Sequence, residues 1–406
     1  MERQFSVLCP VPCSHRCTRK QNRKRLNHGC FKENVVVIGA GYDGITAVLR
    51  LAKLLRGHAD YQVHLVDRNL FLLLKTQLHE AAVLKTEVTI PIDRLIRNRN
   101  ISFHLAEVSR IGPDERTVFL QSDSLPFEYL VAALGSQTNF YGIPGLQEHA
   151  FTLETLSGAR HIHDHIARLC ARASSEPDEA RRIDLLRFVI GGGGLSGVEF
   201  AAEFADHSVH CTRNNHINLE EFEIILVEAG SRIMPNLAES LSTPVEKKLR
   251  EKRVKVLTQT RILDQTADSV TLSPGGVVKT ETLVWTGGIR ITDLFRESGM
   301  KIGKLGRIMV DEYLRAESYP FIYAIGDDAL AMNHFTGNPV PTAAQFALQQ
   351  GRLVAENIFA NVTGGKRRPY FPTVWGEVVS LGRHLAVGWR FLSQKRSPSS
   401  VSWGVF

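Results

Sequence analysis

Apolar residues in this chain come in short bursts separated by polar turns, and the bursts follow a strand, helix, strand order. Residues 35–38 (VVVI) are four apolar positions in a row, the mark of a strand buried on both faces. A glycine-rich turn follows at once. Ile45, Val48, Leu49, Ala52 and Leu55 then recur at helical spacing, Gly57 closes the helix, and residues 63–66 (VHLV) form the next strand. Such a unit implies parallel strands joined by a crossover helix. The same order returns further along: a strand over 188–190, a helix over 195–205 rich in Ala and Glu, and a strand over 224–227 (IILV). Two copies of one βαβ unit are the main organisational fact of the sequence.

Between the copies, residues 108–130 read as short strands with turns, and 174–182 (SSEPDEARR) as a polar surface loop. After the second copy, 254–272 reads as further strands. A strand over 321–325 ends in Gly326-Asp327, and 342–360 is a helical stretch. From Ser393 the composition turns to Ser, Lys, Arg and Pro, and regular structure is expected to end there.

Length and charge narrow the picture. The 406 residues suffice for two or three domains. No apolar run approaches the length of a transmembrane helix. The net charge is +7, but residues 1–34 hold eight basic against two acidic side chains, so the rest of the chain is nearly neutral. Charge therefore gives no reason to invoke nucleic acid. Four of the six cysteines (Cys9, Cys13, Cys17, Cys30) lie in this same basic leader, leaving Cys170 and Cys211 in the body. That is no secreted disulfide framework and fits a reducing cytoplasm. The leader lacks the apolar stretch of a secretory signal. Its cysteines, with His15 and His28, read as an unstructured terminus in preference to a zinc site, and His161, His163 and His165 read as solvated helix positions; no metal site is expected.

The turn after the first strand is Gly39-Ala40-Gly41-Tyr42-Asp43-Gly44, a G-x-G-x-x-G. Gly39 permits the tight turn, Gly41 lets a pyrophosphate approach the backbone, and Gly44 lets helix and strand pack closely. The phosphates would sit at the helix N-terminus, where free N–H groups and the dipole favour an anion. Asp67 ends the following strand, where a ribose-binding acid belongs. In the second copy the glycines are Gly192, Gly194 and Gly197, and Glu228 ends the next strand; a polar insert over 206–221 would account for the longer spacing. A carboxylate there accepts ribose hydroxyls and repels a 2′-phosphate, which favours NADH, although Arg232 lies close enough to temper that preference.

The strand ending in Gly326-Asp327 and the short Ala133-Leu134-Gly135-Ser136 segment resemble the flavoproteins with two dinucleotide-binding units, in which the first holds FAD and the inserted second holds NAD(P)H. This implies an α/β fold of two Rossmann-like units. The expected division is a leader over 1–34, an FAD-binding part over 35–150 and 290–372, an NADH-binding part over 151–289, and a short C-terminal segment over 373–406. The paired cysteines by which disulfide reductases of this group relay electrons are missing, as is the late cysteine of sulfide:quinone oxidoreductases. Instead, residues 341–351 (PTAAQFALQQG) resemble the A-Q-x-A-x-Q segment of the type II NADH:quinone oxidoreductases, as do Gly197-Val198-Glu199, residues 285–288 (WTGG), 139–145 (NFYGIPG) and 78–82 (LHEAA).

The resemblance implies transfer of hydride from NADH to FAD and of two electrons to a membrane quinone, without proton pumping. It implies FAD contacts at Gly39, Gly41, Gly44, Asp67, Ala133, Gly135, Gly326, Asp327 and Ala344, and NADH contacts at Gly192, Gly194, Gly197, Glu228 and Gly287. Gln345 and Gln349 would line the quinone side, and Glu199 would sit near the nicotinamide and handle a proton. From the residues alone, Glu199 reads equally as an acid favoured by the start of a helix, and the two glutamines as ordinary polar helix positions. The resemblance also implies a location on the inner face of the cytoplasmic membrane; a homodimer is compatible with it. The C-terminal segment shows no long amphipathic stripe, which leaves attachment and completeness open. Two other readings stand beside this one: a soluble NADH-dependent reductase of rubredoxin or ferredoxin, and an NADH-binding flavoprotein that senses redox state.

Overall fold

The computed structural model describes residues 33–390 apart from 236 and 238, together with 399–401. The basic leader and its cysteines lie outside the described residues. The first copy of the repeat comprises β1 (Glu33–Ile38), α1 (Tyr42–Leu54) and β2 (Tyr61–Asp67), extended by α2 (Leu78–Leu84), β3 (Ile101–Leu105) and β4 (Tyr129–Ala132). The second comprises β5 (Phe151–Thr152), α3 (Leu156–Ser175), β6 (Arg187–Gly191), α4 (Leu195–Asn215), β7 (Glu223–Val227), α5 (Glu239–Glu251), β8 (Val254–Leu257) and β9 (Thr282–Trp285). The chain then returns with β10 (Ile322–Ala324) and α6 (Ala344–Thr363), and ends in the antiparallel strands β11 (Gly376–Ser380), β12 (Ala386–Arg390) and β13 (Ser399–Val401).

Each copy builds a five-stranded parallel sheet. The first runs β10, β4, β1, β2, β3 and the second β5, β9, β6, β7, β8. The strand β10 completes the first sheet only after the whole second sheet has been traced, so the second unit is an insertion in the first. Strands buried on both faces explain the unbroken apolar runs: Val35, Val36, Val37 and Ile38 are all fully buried.

Helix α6 lies along α1. Gly351 makes this possible, because a Cβ there would sit 2.5 Å from the carbonyl oxygen of Asp43. The apolar side of β11 joins the core of the second unit, where Val379 and Leu381 are buried with Val198, Ala202 and Leu78. The C-terminal strands therefore bridge the helices of both units.

Three expectations need correction. The segment 174–182 is not a loop throughout, since α3 runs to Ser175 and a short helix, Glu179–Leu185, follows. The long spacing before Glu228 is mostly helix: α4 continues through Asn215, with Cys211 and Thr212 buried on its inner side. Regular structure does not end at Ser393, because β13 pairs with β12, although 391–398 and 402–406 are outside the described residues.

Candidate functional site

The two glycine turns repeat one another in detail. Gly39 and Gly192 both take positive φ, 101° and 107°, which only glycine adopts without strain. Their N–H groups donate to carbonyls at the ends of the neighbouring strands, of the penultimate Val66 and the last residue Val227, each at 2.8 Å. Gly41 and Gly194 cap α1 and α4 in extended conformation with no side chain bonded to the first amides. A Cβ on Gly44 would collide with the carbonyl of Gly39, and one on Gly197 with that of Gly192. Asp67 accepts from the N–H of Ala40 at 2.7 Å, and Glu228 from that of Gly193 at 2.7 Å. Ala133 and Gly287 complete the pair. The carbonyl of Ala133 closes the space beside Gly39, and the N and Cα of Gly287 come within 2.7 Å of a Cβ on Gly192.

Helix starts with open amides, approached by glycine and followed by a carboxylate at the next strand end, suit a dinucleotide diphosphate and its ribose. The residues around the first turn fit FAD in a further respect. Gly326 takes φ 62°, and its N–H donates to the buried Gln350 Oε1 at 2.7 Å. Ser136 Oγ donates to Asp327 at 2.7 Å. The neighbouring Asp328 is fully buried and accepts from the N–H groups of Leu134 and Gly135 at 2.6 and 3.3 Å, while its Oδ1 has no partner. Burial pushes its carboxyl well up, and nearby Asp43 adds to the shift. Asp43 occupies the space beside Gly326, and burial raises it to about 7. A neutral carboxyl can face a diphosphate that an ionised one would repel.

A second cluster lies where α2, α4, α6 and β11 meet. Gln345 Oε1 accepts from Trp375 N at 2.8 Å, and its Nε2 donates to Gly376 O at 3.3 Å. Gln349 engages Thr373 in the same two-ended manner, and Ala344 begins the helix that carries both. Glu199 Oε1 accepts from Ser380 N at 3.1 Å, and burial lifts its carboxyl to about 7 with a contribution from Glu80. Glu199 stands in the second turn of α4, beyond the first turn where the helix dipole acts, so the bland reading of this acid loses its basis. The glutamines are not free polar positions either; their amides hold the backbone of 373–376.

Residues 33–351 match the pyridine nucleotide-disulphide oxidoreductase family. The type II NADH:quinone oxidoreductase of Staphylococcus aureus (strain NCTC 8325 / PS 47) is 30% identical over 368 residues, 89% of this chain and 90% of that one. The chain belongs to this family. Among solved structures, NDH2 from Plasmodium falciparum in complex with NADH superposes with a TM-score of 0.80 at 18% identity, covering 90% of this chain and 91% of that one. The sulfide:quinone oxidoreductase of Aquifex aeolicus gives 0.75 at 18% identity, over 91% and 87%. These likenesses show the shared fold of two Rossmann-like units.

Membership in a family of pyridine nucleotide-disulphide oxidoreductases makes cysteine placement informative. Among the described residues, Cys170 and Cys211 are both free and buried on α3 and α4, with Cys211 at the end of α4 opposite Gly194. Arg232 is committed elsewhere: its guanidinium donates to the carbonyls of Met234, Pro235 and Leu237 and to Ser242. His165 is no solvated position, since its Nε2 pairs with Thr282 Oγ1 at 2.9 Å, and no group of metal-ligating side chains occurs among the described residues. Site reasoning passed over Asp43, Asp328, Gln350 and His79. Asp43 could have been found as an acid inside a phosphate-binding turn; the burial of the others depends on tertiary contacts.

Proposed function

We propose that this chain is an FAD-dependent NADH:quinone oxidoreductase that does not pump protons. When bound, FAD accepts a hydride from NADH and passes two electrons to a quinone. The first unit, over 35–150 and 290–372, would hold FAD through Gly39, Gly41, Gly44, Asp67, Ala133, Gly135, Gly326, Asp327 and Ala344. The inserted unit, over 151–289, would hold NADH through Gly192, Gly194, Gly197, Glu228 and Gly287. Glu228 favours NADH over NADPH, because the terminal nitrogens of Arg232 are held by Met234, Pro235, Leu237 and Ser242 and are not turned to a 2′-phosphate.

The observation that carries the quinone half is an apolar surface beside the glutamines. Phe371, Val374, Trp375 and Val378 are all exposed on and beside the segment that Gln345 and Gln349 clasp, and the exposed Phe335 packs against Phe371. A monomeric soluble enzyme has little reason to present such a face. A lipid-dissolved acceptor reaching Gln345 and Gln349 explains it, as does attachment to the membrane surface, and no helix among the described residues is long and apolar enough to cross a membrane. Glu199, held near neutrality between protonated and ionised forms, is suited to supply a proton to the acceptor.

The test uses the flavin-loaded protein without oxygen. NADH should bleach the flavin absorbance rapidly, and a soluble ubiquinone or menaquinone analogue should restore it rapidly. Bleaching that only a rubredoxin or ferredoxin reverses would transfer the function to a protein-acceptor reductase. Bleaching that no acceptor reverses would favour a sensor.

A further inference from the structure

His79 is buried at 5% exposure with its ring between two carboxyl groups. Nδ1 lies 3.9 Å from Glu199 Oε2, and Nε2 lies 3.9 Å from Glu80 Oε1. Nε2 has no hydrogen-bond partner. A buried ring nitrogen left unpartnered is costly unless water or a mobile proton serves it. Along the path the Glu80 side chain is 36% exposed, His79 6% and Glu199 18%. Glu80 therefore meets solvent, and the ring is the most buried of the three groups.

Reduction of a quinone by NADH balances only with one proton from solution. NADH gives up two electrons and one proton as hydride; the quinol gains two electrons and two protons. We propose that Glu80 and His79 carry that second proton from water to Glu199. The step moves two protons across these 3.9 Å gaps as small side-chain movements close them: Glu80 gives its proton to Nε2 as Nδ1 gives its own to an ionised Glu199, and the ring ends neutral in its other tautomer. It consumes no oxidant or reductant. Burial holds His79 down at about 4, so the ring stays neutral and can accept on one nitrogen while donating from the other. Burial raises Glu80 as well.

The charged groups facing this path are few. On α4, Glu203 is buried with its Oε1 unpartnered, and Asp206 pairs with Lys252. Beyond β11, Arg383 approaches Glu203 at 4.0 Å. Burial, Asp206 and Glu80 raise Glu203, while Arg383 and Lys252 lower it.

The inference rests on the quinone reading, and its test separates the two. In the flavin-loaded protein, Glu80→Gln and His79→Ala should leave bleaching by NADH unchanged. Above pH 7 His79→Ala should slow reoxidation by the quinone analogue roughly a hundred-fold, the lower end of the usual scale of proton-transfer catalysis, and Glu80→Gln should slow it less. Added imidazole should restore His79→Ala in part. Independently of turnover, the infrared carboxylic-acid band lost in Glu199→Gln should exchange slowly in D2O in both variants. Wild-type reoxidation rates, pH profile and band exchange in Glu80→Gln would overturn the relay. Should His79→Ala fail to load FAD, Glu80→Gln decides alone. Wild-type protein that quinone cannot reoxidise would refute the quinone reading instead.

Discussion

Gln349 and the backbone of Thr373 exchange two hydrogen bonds, Oε1 accepting from the N–H at 2.9 Å and Nε2 donating to the carbonyl at 2.7 Å. One helical turn earlier, Gln345 repeats the arrangement on Trp375 N and Gly376 O. The side chains act as a short strand edge for residues 373–375 and for Gly376, where β11 begins. The apolar face is thereby fixed over the start of α6.

Gln349→Ala should release this segment. Two net hydrogen bonds are worth about 2 kcal/mol together, enough to lower the melting temperature by a few degrees without unfolding the protein. Flavin bleaching by NADH should keep its rate, while reoxidation by quinone should slow and its KM rise. A variant impaired equally in both half-reactions would place Gln349 in general stability and outside acceptor binding.

Gly44→Ala and Gly197→Ala make the same steric error in the two units, a Cβ driven against the carbonyl of Gly39 or of Gly192. Their consequences should differ because the proposed assignment gives the two units different cofactors. Gly44→Ala should be purified with most of its FAD missing, read as the ratio of flavin to protein absorbance. Gly197→Ala should retain FAD and lose affinity for NADH. If Gly197→Ala also lost its flavin, the assignment of cofactors to units would have to change.

The repeat and its chemistry were legible because they are local. A run of β-branched residues, three glycines and an acid at the next strand end lie within one βαβ unit, and each signals backbone geometry directly. What could not be read depends on residues distant in sequence. Nothing near Gln345 indicates that its amide will hold Gly376, and nothing near Glu199 indicates Ser380, 181 residues away. Helix length was misjudged for a related reason: 206–215 is polar enough for a loop, yet its buried side packs Cys211 and Thr212 against neighbours that only the fold supplies.

Glu228 does two things at once. It closes the glycine turn through Gly193 N at 2.7 Å and Gly230 N at 2.6 Å, and it leaves lone pairs for ribose hydroxyls. Glu228→Ala removes both, and the KM for NADH should rise roughly ten-fold or more, the scale of hydrogen bonds to a charged group. Glu228→Gln should fall between the two. Since Arg232 remains bound to its carbonyls, neither variant should gain appreciable activity with NADPH. A marked gain would show that Arg232 can leave Met234 and Pro235.

Asp43 sets a dependence on pH whose sign follows from its burial. Its carboxyl sits near 7 in the folded chain against 3.8 when unperturbed, with burial first among the causes, then opposing N–H contacts, then Asp327 and Lys75. A carboxyl raised on folding is most compatible with the native state when protonated. The favourable balance is full below about pH 4 and is lost as pH rises through 7, with a span of about 4 kcal/mol at most. Asp328, buried beside it and also raised, acts in the same direction. Asn is neutral at every pH and nearly the same shape, so the melting temperature of Asp43→Asn relative to the wild type should rise by several degrees between pH 5 and pH 8. A diphosphate at the start of α1 would penalise the ionised Asp43 further. Free FAD, followed by its fluorescence after dilution, should therefore appear faster from wild-type protein at pH 8 than at pH 6, with the difference much reduced in Asp43→Asn. Equal release at both pH values in the wild type would place the Asp43 carboxyl away from the diphosphate.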